Sequence, residues 1–181
     1  SLDTLREEKY RFITRCSEGS YSRVLQGIEA AMDAGLTPVK INMVILKGVN
    51  EDEIEDMIEF VRGKELVLQI IELMNFRNTA GYQTDIIEIE EQLKRRASAV
   101  KTNELHRRSK YFLDGAEVEV VRPVNNATFC AYCNRLRVTS DCKLKPCLLR
   151  SDNLVDIRGK RGTELEALFC EAVRRREPFY R

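Results

Sequence analysis

Residues 39–73 read VKINMVILKGVNEDEIEDMIEFVRGKELVLQIIEL and contain the clearest secondary-structure signals of the chain. Residues 39–46 are rich in β-branched side chains and predict a strand. Asn50 is then expected to cap a helix, with Glu53 at the capping-box position. Residues 66–73 are apolar on both faces, which is typical of a buried parallel strand. The stretch therefore predicts a strand, a helix and a second strand parallel to the first.

An apolar helix face precedes this stretch, because Val24, Ile28 and Met32 recur at four-residue spacing. The full order is helix, strand, helix, strand, which indicates parallel strands joined by crossover helices. We therefore expect an α/β fold, either part of a (β/α) barrel or an open doubly wound sheet. In both architectures the functional residues lie at the carboxyl ends of the strands.

The sequence changes character after this α/β region. The predicted elements are a helix over residues 85–96, a hairpin over residues 111–121 with its turn at Asp114-Gly115, and a last helix over residues 163–175. These elements do not continue the alternation of helix and strand. We therefore place a domain boundary near residue 76, which gives domains of residues 1–75 and 76–181.

The composition is that of an ordinary globular protein. The chain has 181 residues, of which 43% are hydrophobic and 33% charged, and its formal net charge is +1. This balance does not favour bulk attraction to nucleic acid or to a membrane. We expect a cytoplasmic protein, since no apolar run has transmembrane length and no signal peptide opens the sequence. Because the sequence opens on Ser1 rather than Met, we also expect a missing amino-terminal portion.

Four of the six cysteines lie close together in the sequence, at Cys130, Cys133, Cys142 and Cys147. Cys130 and Cys133 form a two-residue knuckle that can turn two thiolates toward one metal centre. Spacing alone leaves three interpretations open: a zinc knuckle with all four cysteines, an iron–sulfur cluster with three or four, and unligated or disulfide-bonded cysteines. Without secretory features, a metal or cluster site is favoured over disulfides.

Basic side chains stand at two informative places. Arg135 and Arg137 directly follow the knuckle, and alternate residues of a strand share one face. Two guanidinium groups on one face suit phosphate or another planar acceptor, whereas a solvated basic edge strand is the plainer interpretation. Lys40 and Asn42 are polar residues on the otherwise apolar strand of residues 39–46, so they need partners or a cavity.

Residues 129–137 (FCAYCNRLR) and 144–148 (LKPCL) resemble the carboxy-terminal signature of the molybdenum-cofactor biosynthesis protein A family. Further segments are similar to the family in the same order along the chain: residues 1–3 (SLD), 39–42 (VKIN), 47–50 (KGVN) and 71–74 (IELM). Several ordered motifs are more specific than any one of them. The resemblance extends over nearly the whole chain.

The resemblance implies both an activity and a fold. Enzymes of this family are radical-SAM GTP 3′,8-cyclases, which cleave S-adenosylmethionine at one 4Fe-4S cluster and hold GTP at a second. The 5′-deoxyadenosyl radical removes a hydrogen from the GTP ribose, and the ribose carbon then bonds to C8 of guanine. The implied α/β fold is the carboxy-terminal half of an incomplete TIM-like (radical-SAM) barrel, followed by an α+β iron–sulfur cluster domain.

The resemblance also implies roles for single residues. The implied ligands of the second 4Fe-4S cluster, whose open iron contacts the guanine, are Cys130, Cys133 and Cys147. The implied GTP-binding residues are Lys40, Arg135, Leu136 and Arg137. The implied S-adenosylmethionine-binding residues are Ser1 and Met74. The expected partners are GTP, S-adenosylmethionine and the next enzyme of pyranopterin synthesis, and we allow for a homodimer.

The sequence also departs from the family's pattern. The C-x₃-C-x₂-C motif of the radical-generating cluster is absent, so we expect this chain to be inactive alone. Cys142 stands where the family more commonly has glycine, and we expect a bystander thiol in a turn. The arginines at 174–176 are expected to form a solvated helix end, and His106 to lie on the surface. The alternative function is a zinc-ribbon module that binds nucleotide or RNA through Arg135 and Arg137.

Overall fold

The structure, a computed structural model, describes residues 1–75, 79–103 and 107–180. The chain divides into two compact units, Ser1–Val124 and Asn125–Arg181. The first unit contains α1 (Glu7–Thr14), α2 (Ser20–Asp33), β1 (Val39–Ile45), a 3₁₀ helix (Glu51–Glu53), α3 (Ile54–Val61), β2 (Leu66–Glu72), a second 3₁₀ helix (Ala80–Tyr82), α4 (Ile86–Arg96), β3 (Ala99–Thr102), β4 (Ser109–Leu113) and β5 (Ala116–Val121). The second unit contains α5 (Ala127–Ala131), β6 (Arg137–Val138), β7 (Lys143–Lys145), β8 (Val155–Asp156) and α6 (Gly162–Arg174).

A five-stranded mixed sheet organises the first unit, with strand order β1-β2-β5-β4-β3. β1 and β2 run parallel, with Val39 opposite Leu66 and Ile45 opposite Glu72, and α3 connects them. The predicted parallel pairing across a crossover helix is therefore confirmed. β5 extends the sheet in parallel with β2, whereas β4 and β3 add to it antiparallel.

The main core lies on one face of this sheet. Alternate residues of β1, namely Ile41, Met43 and Ile45, are at most 2% exposed, because side chains alternate between the two faces of a strand. They form one cluster with the buried face of α3, which includes Met57 and Ile58. The polar residues that alternate with these apolar residues along the same strands therefore lie on the opposite face of the sheet.

The loop before α3 differs from the prediction. The Asn50 Oδ1 atom accepts a hydrogen bond from the Leu46 N–H at 2.7 Å, and Asn50 Nδ2 donates to the Asp3 carbonyl at 2.7 Å. The Glu53 carboxylate accepts from the Thr4 hydroxyl at 2.7 Å. The predicted capping box is wrong, because both side chains are fully buried and satisfy polar groups of other segments.

The predicted hairpin is confirmed, and it belongs to the same sheet. Asp114 and Gly115 both have positive φ, at 46° and 86°, as a two-residue type I′ turn requires. Because β5 of this hairpin pairs directly with β2, the hairpin belongs to the first compact unit, which extends to Val124. The domain boundary near residue 76 stays a prediction.

The second unit is built on a small antiparallel sheet, in the order β6-β7-β8, with α6 packed against it. Leu144, Val155 and Ala172 are its buried centre. The strand that we expected after the cysteine knuckle is short, since β6 contains only Arg137 and Val138. In the part of the chain that the structure describes, no helix combines the length and apolar character needed to cross a bilayer.

Candidate functional site

The cysteine knuckle lies at the end of a short helix in the second unit. α5 begins where the Asn126 side chain caps it by accepting from the Phe129 N–H at 2.9 Å. Cys130 is in the last turn of α5, and the Cys133 N–H donates to the Cys130 carbonyl at 3.3 Å. Both thiols are free and half-buried. The local sequence thus presents two thiols from one tight turn.

The third cysteine of the candidate set follows β7 in the same unit. Cys147 is also free and half-buried. Arg176 connects its segment to the knuckle, because Arg176 Nη2 donates to Cys133 Sγ at 3.7 Å and to the Pro146 carbonyl at 3.0 Å. The structure therefore brings the segment of Cys133 and the segment of Cys147 to one side chain.

The donor set consists of three free, half-buried thiols in one unit. Among residues 1–75, 79–103 and 107–180, no three His, Cys, Asp or Glu side chains are arranged to hold one metal ion. Cys thiolates bind both zinc and iron–sulfur clusters, so these thiols are compatible with either kind of centre.

Cys142 occupies a turn and is set apart from the other three. It lies between β6 and β7, it is exposed, and its φ is 56°. Its N–H donates to the Thr139 carbonyl at 3.0 Å, and its own carbonyl accepts from the Ile157 N–H at 3.0 Å. The backbone therefore uses this position for a left-handed turn, which favours glycine. This geometry supports the interpretation of Cys142 as a bystander thiol.

We predict that Cys142→Gly leaves iron binding unchanged and does not lower stability. A non-glycine residue in the left-handed region costs roughly 1–2 kcal/mol, and the extra freedom of glycine in the unfolded chain offsets about 0.5–1 kcal/mol of that gain. Chemical unfolding should show a free energy equal to that of the wild type or higher by about 1 kcal/mol. Loss of bound metal in this variant would instead identify Cys142 as a ligand.

The two arginines after the knuckle do not share a strand face as predicted. Arg137 lies in β6 opposite Lys145, whereas Arg135 precedes the strand. The prediction fails because the chain enters β6 only at Arg137. Arg135 is exposed and Arg137 half-buried. Leu136 is partly buried and packs against the small core of the second unit.

Lys40 lies on the polar face of the sheet in the first unit and is paired there. Its Nζ donates to Glu119 Oε1 at 2.9 Å and to Oε2 at 3.0 Å. The Gln69 side-chain amide also donates to Glu119 Oε2. The side chain of Glu119 is only 10% exposed, whereas that of Lys40 is 42% exposed. The expectation that Lys40 needs a partner is confirmed, and the partner is a buried carboxylate on β5.

Three parallel strands supply one row of polar side chains on this face. Asn42 of β1 is opposite Gln69 of β2, which is opposite Glu119 of β5. The Asn42 Oδ1 atom is buried and accepts no hydrogen bond from the described residues. A buried acceptor without a donor is uncommon in folded proteins, so this atom is available to a ligand N–H.

The pKa of the Glu119 carboxyl is lowered in the folded protein. Burial raises it, but the hydrogen bonds from Lys40 and Gln69 lower it by more. A depressed folded-state pKa contributes stability that is present above the unfolded value of about 4.3 and is lost as the pH falls. The ion pair between Lys40 and Glu119 therefore stabilises the first unit at neutral pH and not in acid.

We predict that Glu119→Gln lowers the free energy of unfolding by roughly 1–2 kcal/mol at pH 7, since Lys40 is part-exposed and its pairing is screened. The difference from the wild type should shrink as the pH falls below about 4, where the wild-type carboxyl also becomes neutral. Urea titrations at several pH values measure this directly. A difference that stays constant down to pH 3 would contradict the assigned pairing.

Ser1 and Met74 lie on two segments of the first unit that flank β1. The Leu2 N–H donates to the Asn42 carbonyl at 3.0 Å, so residues 1–3 run beside β1. Met74 follows β2 by two residues, beyond its carboxyl end, and is half-buried. β1 therefore lies between the segments of Ser1 and Met74, and Ser1 is exposed.

Two residues of the candidate sites were missed by sequence reasoning. Glu119 had a usable signal, because Glu117 and Glu119 alternate with valines in β5. Arg176 had none, since it stands in a run of three arginines that we expected to be solvated. That expectation is wrong for Arg176, which is half-buried and hydrogen-bonded, although Arg174 is exposed. His106 lies outside the described residues.

Comparison with known families gives two matches that together cover most of the chain. The sequence model of the Molybdenum Cofactor Synthesis C family matches residues 66–181. The model of the Radical SAM superfamily matches residues 1–61. The first match begins at β2, so it contains the hairpin of the first unit and the whole of the second unit.

Relatives in archaea match over the full chain. The chain is 55% identical to a "Probable GTP 3',8-cyclase" of Methanocella arvoryzae over 181 residues, which are 100% of this chain and 59% of the relative. Proteins of the same name match from Methanosarcina acetivorans (53% identity, 99% of this chain, 55% of the relative) and Archaeoglobus fulgidus (47%, 100% and 62%). The chain thus spans between 55% and 62% of the length of these relatives. With the family match over residues 66–181, the chain belongs to the molybdenum cofactor synthesis family.

Proposed function

We propose that this chain is the part of a radical-SAM GTP 3′,8-cyclase of molybdenum cofactor synthesis that holds the second 4Fe-4S cluster and binds GTP. The observation that carries the proposal is the second unit, where three free, half-buried cysteines and two arginines stand within residues 130–147. Full-length relatives named as probable cyclases support the same activity. The activity of the complete enzyme is a lyase reaction on GTP.

The proposed cluster ligands are Cys130, Cys133 and Cys147. Their three thiolates would hold a four-iron cluster with one iron open, which would offer a coordination position to the guanine. Cys142 is left out because its turn is exposed and its backbone conformation favours glycine. The protein's own contribution is to hold three thiols half-buried in one small unit, where access of water is limited.

The arginines beside the knuckle are proposed to bind the nucleotide. Arg135 is exposed and presents a planar guanidinium that can form two parallel hydrogen bonds with a phosphate group. Arg137 adds a second positive charge from β6. Leu136, which stands between the two arginines and is partly buried, is proposed as a further contact of the nucleotide. The formal charge of a triphosphate makes these contacts strong and sensitive to salt.

Lys40 is proposed as a further GTP-binding residue from the first unit. The Glu119 carboxylate balances the charge of Lys40. It accepts two hydrogen bonds from the Lys40 Nζ atom, which fix the position of that atom. The Asn42 Oδ1 atom on the same face offers an acceptor for an N–H group of a ligand. The polar face thus offers a cation and an acceptor from one strand.

The finer features of the fold also belong to this proposal. The parallel strands β1 and β2 support half of an incomplete radical-SAM barrel. Residues 76–181 are proposed as the family's cluster and GTP-binding module, whose hairpin of β4 and β5 adds to the sheet of that barrel half. Ser1 and Met74 are proposed to contact S-adenosylmethionine. Its cleavage needs a further 4Fe-4S cluster with its own cysteine motif. We further propose that the protein is cytoplasmic and forms a homodimer. Its expected partner is the next enzyme of pyranopterin synthesis.

Calorimetric titration with GTP tests this function. The chain is loaded anaerobically with iron and sulfide and titrated with GTP, with ATP as the control nucleotide. We expect heat of binding with GTP and a weaker signal with ATP, because the open iron selects the guanine while the arginines contact the phosphates of both. If a zinc-loaded sample bound RNA as tightly as the iron-loaded chain binds GTP, the zinc-ribbon alternative would be favoured.

A further inference from the structure

The side chain that joins the two cysteine segments is Arg176. Its Nη2 atom donates to Cys133 Sγ at 3.7 Å, to the Pro146 carbonyl at 3.0 Å and to the Arg135 carbonyl. Nη2 carries two hydrogens, so at least one of them is shared between two acceptors. One nitrogen atom therefore contacts the knuckle at two points and the Cys147 segment at a third.

These acceptors lie at informative positions in the chain. Cys133 is a proposed cluster ligand, and Arg135 is a proposed nucleotide-binding residue two positions later. Pro146 directly precedes Cys147, the third proposed ligand. Thirteen residues separate Cys133 from Cys147 in the sequence, and these include the short strands β6 and β7. Arg176 therefore fixes the two ends of this hairpin to each other.

The backbone that carries Arg176 is itself held in place. The Arg176 N–H donates to the Val173 carbonyl at 3.1 Å, which continues the last turn of α6. The Arg175 carbonyl accepts from Asn153 Nδ2 at 3.1 Å. Ala172, one turn earlier, is fully buried in the core of the second unit. The guanidinium group of Arg176 thus extends from the fixed end of α6 and not from a free tail.

A guanidinium at this place has two consequences for a bound cluster. It holds two ligand segments close before the cluster assembles, so less ordering is left for the binding step. Its N–H group and positive charge also lie against a ligand sulfur, and hydrogen bonds to the sulfurs are a known determinant of cluster reduction potential. A donor at the sulfur stabilises the reduced, more negatively charged state.

We propose that Arg176 is a positioning residue for the cluster, which holds the Cys133 and Cys147 segments together and raises the cluster's reduction potential. This inference rests on the proposed function, since it requires that the three cysteines bind iron–sulfur. The three arginines at 174–176 therefore do not share one role. Arg174 is exposed on the helix surface, and Arg176 is half-buried against the sulfur.

Four proteins test the proposal: the wild-type chain and the variants Arg176→Ala, Arg176→Lys and Arg174→Ala. Each is loaded anaerobically, and its iron per chain, its rate of cluster loss to a chelator and its midpoint potential are measured. We expect Arg176→Ala to lose the cluster about 10- to 100-fold faster than the wild type, the usual cost of removing an outer-shell partner. We also expect its potential to be more negative. Arg174→Ala should match the wild type in every reading.

The Arg176→Lys variant separates the effect of the positive charge from that of the guanidinium geometry. It also keeps the test informative if Arg176→Ala does not fold. An ammonium retains the positive charge but cannot reach three acceptors with the fixed fork of arginine. We expect a potential nearer to that of the wild type together with faster cluster loss. If Arg176→Ala does not fold by circular dichroism, faster loss from Arg176→Lys still supports the proposal. Wild-type rates and potentials in the folded Arg176 variants overturn it. A wild-type chain that takes up no iron overturns the proposed function instead.

Discussion

Cys147→Ser is expected to abolish the iron–sulfur cluster of this chain. The wild type should carry about four irons per chain after anaerobic loading, and the variant should keep less than about a tenth of them. A three-cysteine cluster already has one open iron, so the loss of a further thiolate leaves only two protein ligands. Iron and sulfide analysis, together with the visible absorbance of the cluster, measures the effect.

The matched control is Cys142→Ser, which changes the thiol in the turn that precedes β7. Cys142 is exposed in the turn between β6 and β7, so its replacement should leave the iron content near that of the wild type. Cys147 is half-buried beside the Pro146 carbonyl that Arg176 holds. A zinc ribbon predicts the opposite pattern, in which both variants weaken metal binding equally.

Arg135→Ala is expected to weaken GTP binding by about 10- to 150-fold, since each charge-assisted hydrogen bond contributes roughly 1.5–3 kcal/mol. The Arg135 carbonyl, which accepts from Arg176, is unaffected by this change, so the knuckle should keep its conformation. Titration calorimetry of the loaded variant gives the dissociation constant. Iron content measured on the same sample separates a loss of nucleotide contacts from a loss of the cluster.

Arg174→Ala is the control for this experiment because it removes one positive charge from the exposed surface of α6 in the same unit. It should leave the affinity for GTP unchanged at moderate salt, where exposed charges that do not touch the ligand are largely screened. Equal affinities of wild type, Arg135→Ala and Arg174→Ala would remove Arg135 from the nucleotide site.

The parallel part of the fold could be predicted from the sequence because its signals are local. Residues 66–73 are apolar on both faces, and the structure buries five consecutive residues of β2. Asp114-Gly115 predicts its own type of turn. The partner of the hairpin could not be predicted, since the pairing of β5 with β2 joins residues about fifty positions apart and leaves no local trace. Because of this long-range pairing, the hairpin is part of the first compact unit, which extends to Val124.

The candidate sites show the same division. Lys40 could be identified because a cation on an apolar strand needs a partner. Glu119 could be named as that partner only from the sheet register. Arg176 looks like its neighbours in the sequence, and only the end of α6 places it against Cys133. Asn50 and Glu53 matched a capping pattern, yet burial directed both side chains to other segments.

Cys130, Cys133 and Cys147 are proposed to hold iron–sulfur and not zinc. Metal analysis of the chain, purified and loaded without oxygen, distinguishes the two. We predict a brown protein with about four irons and about four sulfides per chain, and no stoichiometric zinc. A colourless protein that carries one zinc ion per chain after the same treatment would contradict the claim.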